Sequence, residues 1–398
     1  MEHGQTREVF SKDDFGAPIR SALALGSRPD DGLVSDGEAI SPGFQGRPAS
    51  PQHASTGTFD HDMKRPRSLP PQILVLILTN ADLLFLFMEE QSSGVFGIRL
   101  CKHKGSQRLP GVGFHFSSNH NSRYLVAASP GRSLMLVELH SFHDMQLQYS
   151  QTGDVDPVKR ITTHLMPGLI GSVQFLYPDA QDEGHNILLL LAAGISQGQT
   201  HAPRYLTFEW DLGDDLNKVF SQDSRGHRVP NTYACPTLLI PLRFQNSFLS
   251  VSEGMIGLVR NILVGSIEFE TLPLEGIGPT RLHHGNSLPL WTAWARPFRL
   301  RSYYERTDII YLAREDGVVI HIEIGANDLA PSITHIGCLE TNINTAFTTA
   351  YDAFSDLLII CGDSSPGGIW KVSSAYQCLH RNRVKNVSNR CRIAPCSE

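Results

Sequence analysis

The sequence predicts an all-β propeller, and three observations carry that prediction. Along the chain, pairs of apolar runs of strand composition face each other six times across a short polar or glycine-containing break. The pairs recur at roughly fifty to sixty residues, with long variable connections, as blades around an axis would. Long helical periodicity is absent between Pro70 and Val372.

The first pair is Ile73–Thr79 with Leu83–Met88. The whole stretch is shorter than the roughly 20 residues of a spanning helix, and Asn80 and Asp82 interrupt its centre, so it reads as two buried strands and a turn. Tyr124–Ala128 with Ser133–Leu139 follows, joined by the turn residues Pro130-Gly131-Arg132. Ile187–Ala193 then faces Tyr205–Trp210, where Leu206, Phe208 and Trp210 alternate with Thr207, Glu209 and Asp211 as in a half-buried strand. Phe248–Val251 faces Ile256–Val259, and Ile309–Leu312 faces Val318–Ile324 across Asp316-Gly317, the strongest short-range hairpin signal in the chain. Leu357–Cys361 with Gly368–Val372 is the last pair. The polar linkers 181–185, 213–230 and 274–289 read as face loops, where binding surfaces tend to be built.

Residues 1–68 are rich in Gly, Pro, Ser, Asp and Arg, and Ile40, Phe44 and Phe59 have no partners at strand or helix spacing. This segment is expected to be a disordered N-terminal tail, because it offers too little apolar surface to offset its ordering entropy. Residues 70–373 are the expected propeller, and 374–398 an irregular basic tail in which an altered splice end is one source of the change in character. Lys64-Arg65-Pro66-Arg67 reads more readily as a solvated basic linker than as a nuclear-import patch, since four such residues recur by chance.

At 398 residues, 19% charged and 41% hydrophobic, the composition is that of an ordinary soluble protein, and no membrane association is expected. A formal net charge of −6 gives no global attraction for phosphates, so tight nucleic-acid binding would need a local basic patch. Seven scattered cysteines do not make a disulfide framework, and no signal-peptide pattern opens the chain. The chain reads as intracellular and reduced.

The motifs that suggest catalysis fail on context. Gly194-Ile195-Ser196-Gln197-Gly198 matches the G-x-S-x-G nucleophile elbow, but that elbow needs a helix directly after it, and here another strand follows. A serine hydrolase using Ser196 is therefore the alternative reading, not the preferred one. Gly111-Val112-Gly113 lacks the third glycine and the helix of a dinucleotide fingerprint. Cys378, His380, Cys391 and Cys396 fit no usual zinc spacing, and His283-His284 has no carboxylate or cysteine at ligand spacing. No catalytic, cofactor-binding or metal-ligating residue is expected, and no cofactor. Trp291, Trp294, Arg296 and Phe298, ahead of Tyr303-Tyr304, are the candidate partner-binding residues, because aromatics and arginine are enriched at hot spots and also stack on bases. Packing of Trp291, Trp294 and Phe298 between blades is the stronger competing reading.

An ordered set of segments resembles the first β-propeller of one family of very large scaffolds. They are Ile73–Thr79, Gly171–Tyr177, Leu238–Leu242 leading to Phe248–Gly257, Tyr311–Gly317 with its following strand, and Ile336–Cys338 leading to Leu357–Gly362 and Ile369–Val372. Family members are the polyadenylation factor A subunit, the large subunit of the spliceosomal branch-site factor, the damage-specific DNA-binding large subunit that adapts cullin ligases, and the Mms-type repair proteins. The resemblance implies a WD-repeat-like, seven-bladed β-propeller, here incomplete because strands before Ile73 are not recognisable and the pattern stops after Val372. It implies a non-enzymatic scaffold in the nucleus, docking protein subunits of a complex for pre-mRNA 3′-end processing, splicing or DNA-damage ubiquitylation, with nucleic-acid contact through partners. A non-functional truncated gene product is a further alternative.

Recurring hairpins without long helices imply a far-ultraviolet circular dichroism spectrum dominated by strand. A helix content above about a third, the average for globular proteins, would rule the propeller out.

Overall fold

Each sequence-predicted strand pair forms the centre of one four-stranded antiparallel sheet. The computed structural model describes residues 14–26, 69–90, 96–103 and, with short interruptions, 113–383. Blade 1 is β1 (Ile19–Gly26), β2 (Gln72–Leu78), β3 (Leu83–Glu90) and β4 (Phe96–His103). Blade 2 is β5 (His115–Ser118), β6 (Tyr124–Ala128), β7 (Ser133–Leu139) and β8 (Val158–Leu165). Blade 3 is β9 (Leu169–Leu176), β10 (Asn186–Gln197), β11 (Thr200–Asp211) and the short β12 (His227–Arg228). Blade 4 is β13 (Leu238–Pro241), β14 (Phe248–Ser252), β15 (Met255–Arg260) and β16 (Glu268–Leu272). Blade 5 is β17 (Trp291–Ala295), β18 (Thr307–Arg314), β19 (Val318–Gly325) and β20 (Ser332–Cys338). Blade 6 is β21 (Ala346–Asp352), β22 (Ser355–Cys361), β23 (Gly368–Val372) and β24 (Cys378–Arg383).

Six blades among the described residues correct the expectation of seven. The sequence itself carried six strand pairs, and the seventh blade came only from the resemblance. Two further expectations change with it. The segment 1–68, expected to hold no strand, supplies β1, which pairs with β2 from Ile19↔Leu78 to Gly26↔Gln72. The tail 374–398, expected to be irregular, supplies β24, paired with β23. Both are edge strands of their sheets, whose side chains become legible only once the neighbouring strand is in place.

The second and third strands of blades 2 to 5 are apolar on both sides because a blade flanks them on each side. In β6, Tyr124, Val126 and Ala128 enter the core shared with blade 3, while Leu125 and Ala127 enter the core shared with blade 1. The same interleaving joins blades 3 and 4, 4 and 5, and 5 and 6. Truncating one such side chain, Leu136→Ala for example, removes packing worth about 2–5 kcal/mol. Buried hydroxyls stitch the junctions: Tyr205 Oη donates to Ser250 Oγ at 2.7 Å between blades 3 and 4, and Tyr311 Oη to Asp356 Oδ2 at 2.6 Å between blades 5 and 6. Burial pushes the Tyr205 phenol up to about 12, so it stays a donor at every pH of interest.

The predicted turn at Asp316-Gly317 forms. Gly317 has φ +89, and a Cβ there would collide with the carbonyl oxygens of Leu339 and Thr341, so glycine is required on both counts. Two helices were not anticipated. Helix α1 (Phe142–Thr152) starts at Ser141, whose hydroxyl accepts from the Asp144 amide, and ends at Gly153 in the left-handed region. It buries Met145 and Tyr149 against blade 1, and Tyr149 Oη donates to Glu89 Oε1 at 2.5 Å. Helix α2 (Leu216–Ser221), with β12 after it, occupies the linker 213–230 that was expected to be loop. Among the described residues no helix is long and apolar enough to cross a membrane.

A chain beginning at Leu69 lacks β1, which leaves the inner edge of β2 with unpaired N–H and C=O groups. Such a chain is expected to self-associate in sedimentation velocity and to unfold at a lower temperature than the full chain. A monomer with an unchanged melting temperature would show that β1 contributes nothing to the ring.

Candidate protein-docking site at the channel mouth

The innermost strands β1, β5, β9, β13, β17 and β21 stand side by side in chain order, each packed on the next. At the C-terminal ends of the first five they enclose a cavity of about 310 Å³, reached by residues from Leu23 of blade 1 to Trp294 of blade 5. This lies at the small end of the range for ligand pockets, large enough for one or two side chains of an inserted segment. Its walls mix aromatic and neutral polar groups, notably Tyr177, Trp294, His120, Gln174 and Ser118, and no lining residue carries a carboxylate.

An ion pair behind the wall organises this mouth. Arg296 sits just past β17 and Asp308 is the second residue of β18, so the antiparallel pairing of those strands brings them together. The guanidinium binds the carboxylate bidentately, Nε to Oδ1 and Nη2 to Oδ2, both at 2.8 Å. Asp308 also accepts the backbone amide of Arg243 at 3.1 Å, and Arg296 Nη2 donates to the Pro241 carbonyl. Thr349 Oγ1 donates to the Arg296 carbonyl at 2.6 Å, which ties in blade 6. The same guanidinium lies 5.2 Å from the Trp294 ring centroid and 5.7 Å from that of Tyr177, which Arg243 approaches at 5.9 Å. One pair thus connects blades 3, 4, 5 and 6.

A second buried pair caps the opposite end of β18. Arg314 Nε and Nη2 hold Asp316 at 2.7 and 3.0 Å, and the guanidinium lies 5.4 Å from the Trp291 ring centroid. Burial pushes the Asp316 carboxyl up, but hydrogen bonds from Arg314 and from the Thr280 amide outweigh it and hold the group below the usual carboxylate range.

The four residues singled out by sequence do not make one surface. Trp291 is 2% exposed within the core of blades 4 and 5, Trp294 is half-buried at the mouth, Arg296 is the staple just described, and Phe298 lies outside the described residues. Sequence reasoning missed Tyr177, Gln174 and Asp308, which come from two other strands and meet only when blades assemble. Gln174 and Tyr177 both lie in the segment Gly171–Tyr177, singled out for its resemblance and not as a site.

The described backbone gives the serine-hydrolase alternative no support. Ser196 lies in β10, in register with His201 of β11, and strand follows where a nucleophile elbow needs helix. Among the described residues no three metal-ligating side chains cluster; Cys378 and His380 belong to β24, while Cys391, Cys396 and the pair His283-His284 lie outside them.

Because Asp308 is fully buried, removing its partner should leave an uncompensated charge. Arg296→Met is expected to cost about 3–5 kcal/mol in urea unfolding, and adding Asp308→Leu to it should recover part of that loss. Additive single and double losses would show that the pair is not coupled.

No curated protein matches the chain. The family described as the RSE1/DDB1/CPSF1 first beta-propeller matches residues 1–389, which takes in all six blades, β1 and β24 included. Ordered segments, blade architecture and this match agree: the chain belongs to the RSE1/DDB1/CPSF1 first β-propeller family.

Proposed function

We propose that the chain is a non-enzymatic docking scaffold of a nuclear complex, acting in pre-mRNA 3′-end processing, splicing or DNA-damage ubiquitylation. The match of residues 1–389 to a family of propeller scaffolds carries this reading. The mouth supports it: a small cavity with aromatic and polar walls, backed by a rigid ion-pair network, is suited to receiving a side chain from a partner's extended segment. The acidic balance of the chain favours nucleic-acid association through partner subunits over direct binding.

Affinity purification of the tagged full chain from nuclear extract, read by quantitative mass spectrometry, separates the branches. Polyadenylation, spliceosomal or cullin-ligase subunits at stoichiometric levels would each assign one complex. Recovery of none of them, from a chain that is folded by circular dichroism, would overturn the scaffold reading and favour a gene product without function.

A further inference from the structure

We propose that the cavity at the channel mouth receives a carboxylate side chain carried on an extended peptide of a partner, an inference that rests on the scaffold reading. The uncommitted groups of the wall are the reason. Ser117 Oγ donates to Gln174 Oε1, so the carbonyl of that amide is engaged and its two N–H bonds are what the cavity is offered. The indole N–H of Trp294 and the hydroxyl of Ser118 make no hydrogen bond among the described residues, although both residues line the cavity. Residues of blades 2, 3 and 5 therefore bring three donor groups to the lining of a space whose wall carries no carboxylate.

The occupied ring faces point the same way. The guanidiniums of Arg243 and Arg296 already lie over the Tyr177 ring, and Arg296 also lies over Trp294. A partner's lysine or arginine, or a nucleobase, would compete with them for the ring faces. A carboxylate meets donors on a wall that carries no carboxylate to repel it, and charge-assisted hydrogen bonds are the stronger kind. The cavity size admits the head of one Glu or Asp side chain with its flanking backbone.

The probe is an acetylated, amidated peptide of alternating Glu and Ala, titrated into the full chain with its Gln counterpart as control. Trp294 is the natural reporter, since Trp210, Trp291 and Trp370 are all buried. The expected result is a saturable change in tryptophan fluorescence with the Glu peptide, weakened by added salt, and at least tenfold weaker binding of the Gln peptide. Gln174→Glu, which places a carboxylate among the donors, should weaken the Glu peptide at least tenfold. Gln72→Glu, at an exposed lining position, provides the same test without disturbing the Ser117 contact. Equal binding of the Glu and Gln peptides, no saturable binding, or folded variants that bind as the parent does would each overturn the site. Nuclear subunits recovered equally by the parent and Gln174→Glu chains would overturn the site while leaving the scaffold reading standing.

Discussion

Two-sided burial of the central strands is the constraint on which everything else in this molecule rests. A four-stranded sheet with apolar residues on both faces has no stable existence in water, so each blade needs a neighbour on either side. That need sets the ring-like order, with cores shared pairwise between blades 1 and 2, 2 and 3, and onward to 5 and 6. It also places the innermost strands side by side, which creates the channel and its mouth. The candidate site is a consequence of blade packing, and no single blade contains it.

Within that frame the Arg296–Asp308 pair does something apolar packing cannot. Apolar contacts between sheet faces are close-packed but carry no directional bond. A bidentate pair that also engages the Pro241 carbonyl, the Arg243 amide and, through its backbone, Thr349 allows one relative placement of blades 4, 5 and 6. Burying both charges brings a desolvation cost that the attraction only roughly offsets. Its contribution is geometric: it holds Trp294 and the neighbouring Tyr177 ring at fixed positions on the wall.

The sequence disclosed the six central hairpins because doubly buried strands are continuous apolar runs, as in β6 and β18. Edge strands bury one side and read as loop: β16, with Glu268, Glu270 and Thr271 exposed, carries almost no signal. β1 was harder still, since Leu23 and Leu25 find their partners only after the chain returns at Gln72. The start and stop of α1 were written in Ser141, Asp144 and Gly153, but the helix lacks the long apolar stripe that draws attention to one. The site was legible in part. An aromatic-arginine cluster flagged Trp294 and Arg296, yet grouped them with Trp291, which alternation along β17 sends into the core. Gln174, Tyr177 and Asp308 join them by assembly of blades, for which sequence spacing holds no signature.

Blade 1 departs from the pattern in a way that bears on the mouth. Among the described residues its face away from blade 2 buries Leu76, Leu78, Leu84 and Leu86 with Phe15, Ala17 and Ile98, while Leu74, Met88 and Leu100 on the same face stay 40–47% exposed. Among the described residues β21 does not pack on β1 as the other successive inner strands do. Blades 3 to 6 are tied together by the ion-pair network, and the stretch Leu23–Gly26 forms the blade 1 wall of the cavity. The mouth therefore sets Gln174 and Trp294, on the tied blades 3 and 5, in one lining with the C-terminal end of β1. That arrangement suits the proposed docking: donors carried on blades tied by directional contacts need less ordering when a segment binds.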